Sequence, residues 1–348
     1  MRNLDVPLHA RLHAPSRRQL LLASGVLFAW AHLPKVAMAE GRDPRLLVIV
    51  LRGALDGLAA VAPVGDPDYQ ALRGDKILRL DGPSPALRLD RFFALNPAMP
   101  NLHRLYTAGQ ASIVHAVATP YRERSHFDGQ DVLESGLAAI ARAGGMETDP
   151  QPGQPSPGAA QAGQPRPPAA QVNQVRAYFA ESAGSAAKFM ARPDGPRVGA
   201  LAFDGWDTHA DEGAVNGRLA ALLGALDGAM AAIEAGMGAA WRDTVVAVVT
   251  EFGRTARING TEGTDHGTAT IALLAGGAVK GGRVIADWPG LKTANLRDQR
   301  DLKPTTDLRA VIKGVLRDHL RMPDTMLTAK VFPESTSAKP LTGLVVAA

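Results

Sequence analysis

The stretch TVVAVVTEFGRTARINGTEGTDHG, Thr244 to Gly267, decides the fold. Its first part, Val245 to Val249, is mostly β-branched and uncharged. That composition suits a strand buried on both faces, as in a parallel sheet. Glu251 then stands at the strand's C-terminal end, where open α/β sheets place their sites. A loop rich in Gly, Asn and Thr follows and closes on Asp265-His266-Gly267. Two acids, an imidazole and Arg254 in one loop suit hard-metal or acid/base chemistry. The plain alternative is a Glu251–Arg254 ion pair, with Asp265 and His266 capping the next element.

Working outward, similar runs recur. Leu46 to Leu51 (LLVIVL) reads as a strand and ends in RGALDG, so Asp56 is either a metal ligand or a helix N-cap. Ser112 to Ala118 (SIVHAVA) is a third strand, and a helix is expected from about His126 to Arg142. Ser125 with Asp128 forms a capping box. The same geometry could instead set the Ser125 hydroxyl against an anion, or make it a nucleophile. Arg197 to Phe203 (RVGALAF) leads into DGWDTHAD. Asp207 and His209 are two apart, so in an extended segment they project to one side and can share a metal. Thr270 to Ala275 (TIALLA) is a fifth strand. Helices are expected over Val172 to Met190, over a long apolar-faced stretch from Leu219 to Ile233, and over Thr306 to Leu320. Alternating strands and helices predict an α/β fold with a mostly parallel central sheet and helices on both faces.

The 348 residues contain no cysteine, which excludes disulfides, thiolate metal sites and cysteine nucleophiles. The net charge of +4 belongs wholly to residues 1–39, so the remainder is neutral and nucleic acid is not an expected partner. That leader carries Arg17-Arg18, an apolar stretch from Leu20 to Trp30, and Ala37-Met38-Ala39 before Glu40. It reads as a removable twin-arginine signal peptide, with the twin-arginine translocase as export partner and a periplasmic or secreted location. Its apolar segment is too short for a stable membrane span. Residues 144–171 are a Pro/Gln/Gly/Ala tract, read as a disordered insertion between residues 40–143 and 172–348 of one α/β domain.

Taken in order, the twin-arginine leader, LRGALDG, RSHFDGQDVLESG, GWDTHAD, TEFGRTARINGTEGTDHG and GGAVKGGRVIADWPGL resemble the bacterial exported family called domain of unknown function 1501. That family is regarded as a distant member of the alkaline phosphatase and sulfatase superfamily. The resemblance implies a three-layer α/β/α fold and a binuclear metal centre at the strand ends. Position by position it implies metal ligands at Asp56, Asp207, His209, Glu251 and His266, with Asp265 beside them. It implies a nucleophile at Ser125, with His126 helping with the anion or the metal. Arg254 or Arg124 would hold the anion. Where the superfamily has an Asp-His pair, this chain has Glu251-Phe252. With no cysteine and no Ser-x-Pro-x-Arg, the formylglycine route of sulfatases is not available. The implied activity is hydrolysis of small anionic phosphate or sulfate esters with Zn²⁺, Mn²⁺ or Mg²⁺, by attack of Ser125 or of a water on the metal. The rival expectation is an exported, non-catalytic binding or assembly module on the same fold.

Overall fold

The computed structural model describes residues 28–31, 41–137 and 169–346. The twin arginines, the cleavage site and almost all of the 144–171 tract lie outside the described residues. The strands are β1 (Phe28–Ala31), β2 (Arg45–Arg52), β3 (Val61–Ala62), β4 (Leu87–Arg88), β5 (Ala94–Leu95), β6 (Ala111–Ala118), β7 (Val198–Asp204), β8 (Thr244–Val249), β9 (Thr270–Ala275), β10 (Arg283–Ile285) and β11 (Thr306–Asp307). The main sheet runs β1-β7-β2-β8-β9-β6-β10, with β11 also paired to β6; β3, β5 and β4 make a small separate sheet.

The pairings β2–β7, β2–β8, β6–β10 and β6–β11 are parallel, so the sheet is mostly parallel. One expected parallel strand runs the other way: β9 is antiparallel to both β8 and β6. A strand buried on both faces has the same apolar composition in either direction, so its sequence does not encode direction. The consequence is functional. Adjacent antiparallel strands put the end of β8 and the start of β9 at one edge of the sheet. Glu251 and His266 therefore return to the same place after a long loop.

The helices are α1 (Gly57–Ala60), α2 (Tyr69–Arg73), α3 (Pro100–Thr107), α4 (His126–Ser135), α5 (Ala169–Ala191), α6 (Arg218–Met237) and α7 (Leu308–Leu320). Helix α4 stops seven residues short of the expected end, at Gly136 in the left-handed conformation (φ 73°). Alternate residues of each central strand face opposite layers. Leu47, Ile49 and Leu51 join α3, α5 and α6 in one core, with Phe179 stacked on Phe203 (centroids 3.9 Å apart). Leu46 and Val50 join Val311, Val315 and Leu316 of α7 in the other. The result is a sheet between two helical layers. Helix α6 with the turn after it is long and apolar enough to cross a membrane, but its leucines are core residues here.

Phe28–Ala31, within the stretch expected to be a signal peptide, forms an antiparallel edge strand on β7, with Phe28 opposite Leu201 and Ala31 opposite Val198. An edge strand carries unpaired N–H and C=O groups, and an apolar neighbouring run can satisfy them.

Candidate metal centre

The C-terminal ends of β2, β6, β7 and β8 and the start of β9 share one edge of the sheet. Each contributes a loop. The loop after β7 supplies Asp207 and His209, the loop before β9 supplies His266, and the N-terminus of α4 after β6 supplies His126. Asp207 Oδ1 is the common point. It lies 3.0 Å from His209 Nε2, 3.3 Å from His266 Nε2 and 3.5 Å from His126 Nε2. His209 Nε2 and His266 Nε2 are 3.0 Å apart. His126, Asp207 and His266 can place one ligand atom each within 4.8 Å of one another.

The opposite ring nitrogens are all engaged. His126 Nδ1 meets Glu251 Oε1 at 2.8 Å, His209 Nδ1 meets Asp265 Oδ1 at 3.3 Å, and His266 Nδ1 meets the carbonyl of Arg124 at 2.9 Å. An acceptor at Nδ1 fixes the proton there and leaves a lone pair at Nε2. Three such lone pairs then face one carboxylate oxygen. His126 Nε2 is buried with no hydrogen-bond partner. Two Nε2 atoms at 3.0 Å, both unprotonated, would repel. A cation relieves both conditions. Four donors about 2.0–2.1 Å from a tetrahedral ion stand roughly 3.3 Å from each other. The observed 3.0–3.5 Å separations from Asp207 Oδ1 and the 3.0 Å between His209 and His266 fit that spacing, while the set whose ligand atoms all lie within 4.8 Å of one another is His126, Asp207 and His266. The four side chains are 14–26% exposed, so a solute can reach them.

The electrostatics agree. Burial pulls the His126 pKa down, but the carboxylates of Asp207 and Glu251 outweigh it and push it up to about 9. Burial opposes ionisation of Asp207, yet the three imidazoles and the Arg254 charge hold it far below the usual carboxylate range. Glu251 is also lowered, against its burial, chiefly by His126. The protein keeps both acids charged, and a proton on His126 takes the place of a cation.

Several expected site residues stand elsewhere. Asp56 caps α1, its Oδ1 accepting from Leu58 N at 3.0 Å and Ala59 N at 3.2 Å. It also forms a buried ion pair with Arg73, whose Nη1 and Nη2 both reach it. It is an anchor of the loop, not a member of the cluster. Glu251 is a bracing acid: Oε1 accepts from Gly53 N and His126, and Oε2 from Thr250 Oγ1 at 2.8 Å. Asp265 braces His209 in the same way, helped by Asn259 Nδ2 at 3.1 Å. With Asp56 and Glu251 so engaged, the described residues offer one cation group rather than the implied two.

Arg254 is fully buried and every guanidinium nitrogen is bonded. Nη1 donates to Asp207 Oδ1 at 2.7 Å, Nη2 to Thr264 O at 2.6 Å and Nε to Thr264 Oγ1 at 3.2 Å. It orients Asp207 and is not free to grip an anion. Arg124 is tied by its Nη2 to Asp298 (3.2 Å) and Asp301 (2.7 Å). Ser125 Oγ accepts from Asp128 N at 3.5 Å, the N-cap reading. Phe252 stacks on the His126 ring, with centroids 5.0 Å apart.

Some supports had no local signal. Gly53 has φ +119°, and a Cβ there would sit 2.5 Å from Asp207 N, so only glycine lets the β2 loop approach Asp207. Thr208, Glu212 and Thr264 hold the ligand loops from below. Their partners are 4 and 52 residues apart in sequence and follow no period.

A family model described as protein of unknown function (DUF1501) matches residues 143–331. The chain belongs to this family. Comparison with curated proteins finds no match. The matched span holds Asp207, His209 and His266, while His126 precedes it. The candidate centre therefore draws one of its residues from outside that span.

Proposed function

We propose that the protein is an exported, metal-dependent hydrolase of phosphate or sulfate esters, related to the alkaline phosphatase and sulfatase superfamily. The observation that carries this reading is the meeting of three braced imidazole Nε2 atoms with Asp207 Oδ1. His126, Asp207, His209 and His266 would hold the ion. An imidazole-rich set suits Zn²⁺ better than Mn²⁺ or Mg²⁺, which favour oxygen ligands. A bound divalent ion would supply Lewis-acid stabilisation of charge on an ester oxygen. The chain's own groups do the rest. Arg254 keeps Asp207 ionised and aimed, and Glu251, Asp265 and the Arg124 carbonyl keep the protons on the outer ring nitrogens. The N-terminus of α4 favours an anion, and Ser125 stands there as the nucleophile. Arg17-Arg18 and Ala37-Met38-Ala39 support export through the twin-arginine translocase to the periplasm.

A second reading, a non-catalytic binding module, has its own observation. Arg254 is bonded at all three guanidinium nitrogens and Ser125 Oγ serves as a cap, so the anion clamp and nucleophile implied by the resemblance are both engaged. Elemental analysis of protein purified without chelator comes first, followed by assay on p-nitrophenyl phosphate and p-nitrophenyl sulfate. About one equivalent of Zn or Mn, lost in Asp207→Ala/His266→Ala, with turnover of either ester, supports the hydrolase. Metal without turnover favours the binding module. Folded protein that takes up no metal rules out the metal centre.

A further inference from the structure

Glu212 is 2% exposed and lies beneath the cluster. Its two oxygens are divided between two loops. Oε1 accepts from Thr208 Oγ1 at 2.9 Å, and Oε2 from Thr264 Oγ1 at 3.4 Å. Thr208 separates Asp207 from His209. Thr264 precedes Asp265 and His266, and its hydroxyl and carbonyl also receive Arg254. The two threonines touch directly as well, Thr264 N donating to Thr208 O at 3.1 Å. Both are fully buried.

A buried carboxylate is costly compared with an amide or an apolar side chain of similar size. The charges of Arg73 and Arg254 offset that cost in part, while Asp56 adds to it. What a carboxyl group offers in return is two oxygens, held in one plane by a single side chain, whether it is ionised or carries a proton. Each meets a hydroxyl from a different ligand-bearing loop. A methionine of similar length would bond neither.

We propose that Glu212 is a positioning residue of the metal centre, clamping the 207–209 loop against the 264–266 loop and so fixing the spacing of Asp207, His209 and His266. This rests on the metal-centre reading. The site exposes its Nε2 atoms on three loops of unrelated origin, and their separation must hold to a few tenths of an ångström for a tetrahedral ion. Arg254 links Asp207 to Thr264 from one side. Glu212 links the same two loops from below.

The test is titration of the metal-free full chain with Co²⁺, read by its visible absorption, for wild type, Glu212→Met, Thr264→Val and Thr264→Ser. Glu212→Met and Thr264→Val are expected to bind Co²⁺ about 10–100-fold more weakly, with a changed absorption band. Thr264→Ser, which keeps the hydroxyl, is expected to match wild type. Melting of the metal-free forms separates this effect from loss of fold. Wild-type affinity and spectrum in Glu212→Met would overturn the role while leaving the metal centre intact. If Glu212→Met does not fold, the Thr264 pair decides: equal binding by Val and Ser overturns it. No Co²⁺ uptake by wild type removes the metal centre, and this role with it.

Discussion

At the proposed metal centre a proton and a metal ion would compete for the same atoms. His126 has its pKa raised from 6.5 to about 9 in the metal-free fold. A raised value means that its protonated form contributes stability, fully present below pH 6.5 and lost as pH rises through 9. Glu212 is raised from 4.5 to about 8, first by burial and then by the Asp56 charge. Its contribution has the same sign and is gone by about pH 8. The thermal stability of the metal-free protein should therefore fall between about pH 4.5 and 9, and His126→Gln should abolish the part of that fall above pH 8. Metal uptake should strengthen from pH 6.5 to 9, because the proton leaving His126 frees a ligand. Asp56 makes a second prediction at this scale. Asp56→Asn leaves the Arg73 charge buried without its partner, which typically costs about 3–5 kcal/mol. Denaturant unfolding should show that loss with metal content per folded molecule unchanged. Loss of metal instead would restore Asp56 as a ligand.

Helix α4 is the element on which the two roles of its first residues separate. Ser125 caps it, and His126 is its first residue. Arg124, just before the cap, has φ +64°, a strained value for a non-glycine residue, and turns its carbonyl onto His266 Nδ1. The turn thus serves two ligands at once. Ser125→Ala removes the cap and should cost about 1 kcal/mol. If Ser125 acts only as a cap, any ester turnover should persist at a reduced rate, following metal occupancy. If it is the nucleophile, turnover should vanish while metal content stays. The β8–loop–β9 unit works differently: its loop closes because two antiparallel neighbours return the chain to its starting edge.

On the scale of the whole molecule the proposed centre would tie together strand ends that are far apart in sequence. Ligands arrive from after β6, after β7 and before β9, and braces from after β2 and β8. A ligand that binds only the folded state stabilises it by mass action, about 2.7 kcal/mol at a hundredfold excess over Kd. Chelator-treated protein should melt at a lower temperature, Zn²⁺ should restore it, and Asp207→Ala should not respond. An unchanged melting temperature in wild type on adding Zn²⁺ would deny the tie.

The amino-acid sequence by itself determined the central strands and the long helices, because buried runs such as LLVIVL and VVAVV and the leucine period of α6 report burial and face directly. It also marked DGWDTHAD and TDHG as acid–imidazole clusters at strand ends. Only the tertiary structure decided what those residues do. Asp56 and Asp207 look alike as acids beyond a strand, but Asp56 meets Arg73 and Asp207 meets three imidazoles. Arg254 carries no local sign that Asp207 and Thr264 would take all its donors. His126 became a ligand candidate, and Glu251 its brace, through a contact 125 residues long in sequence. Periodicity encodes which face of an element is buried. It does not encode the direction of a strand covered on both faces, nor which charge from a distant loop comes to lie beside a given acid, and here those two matters made the site.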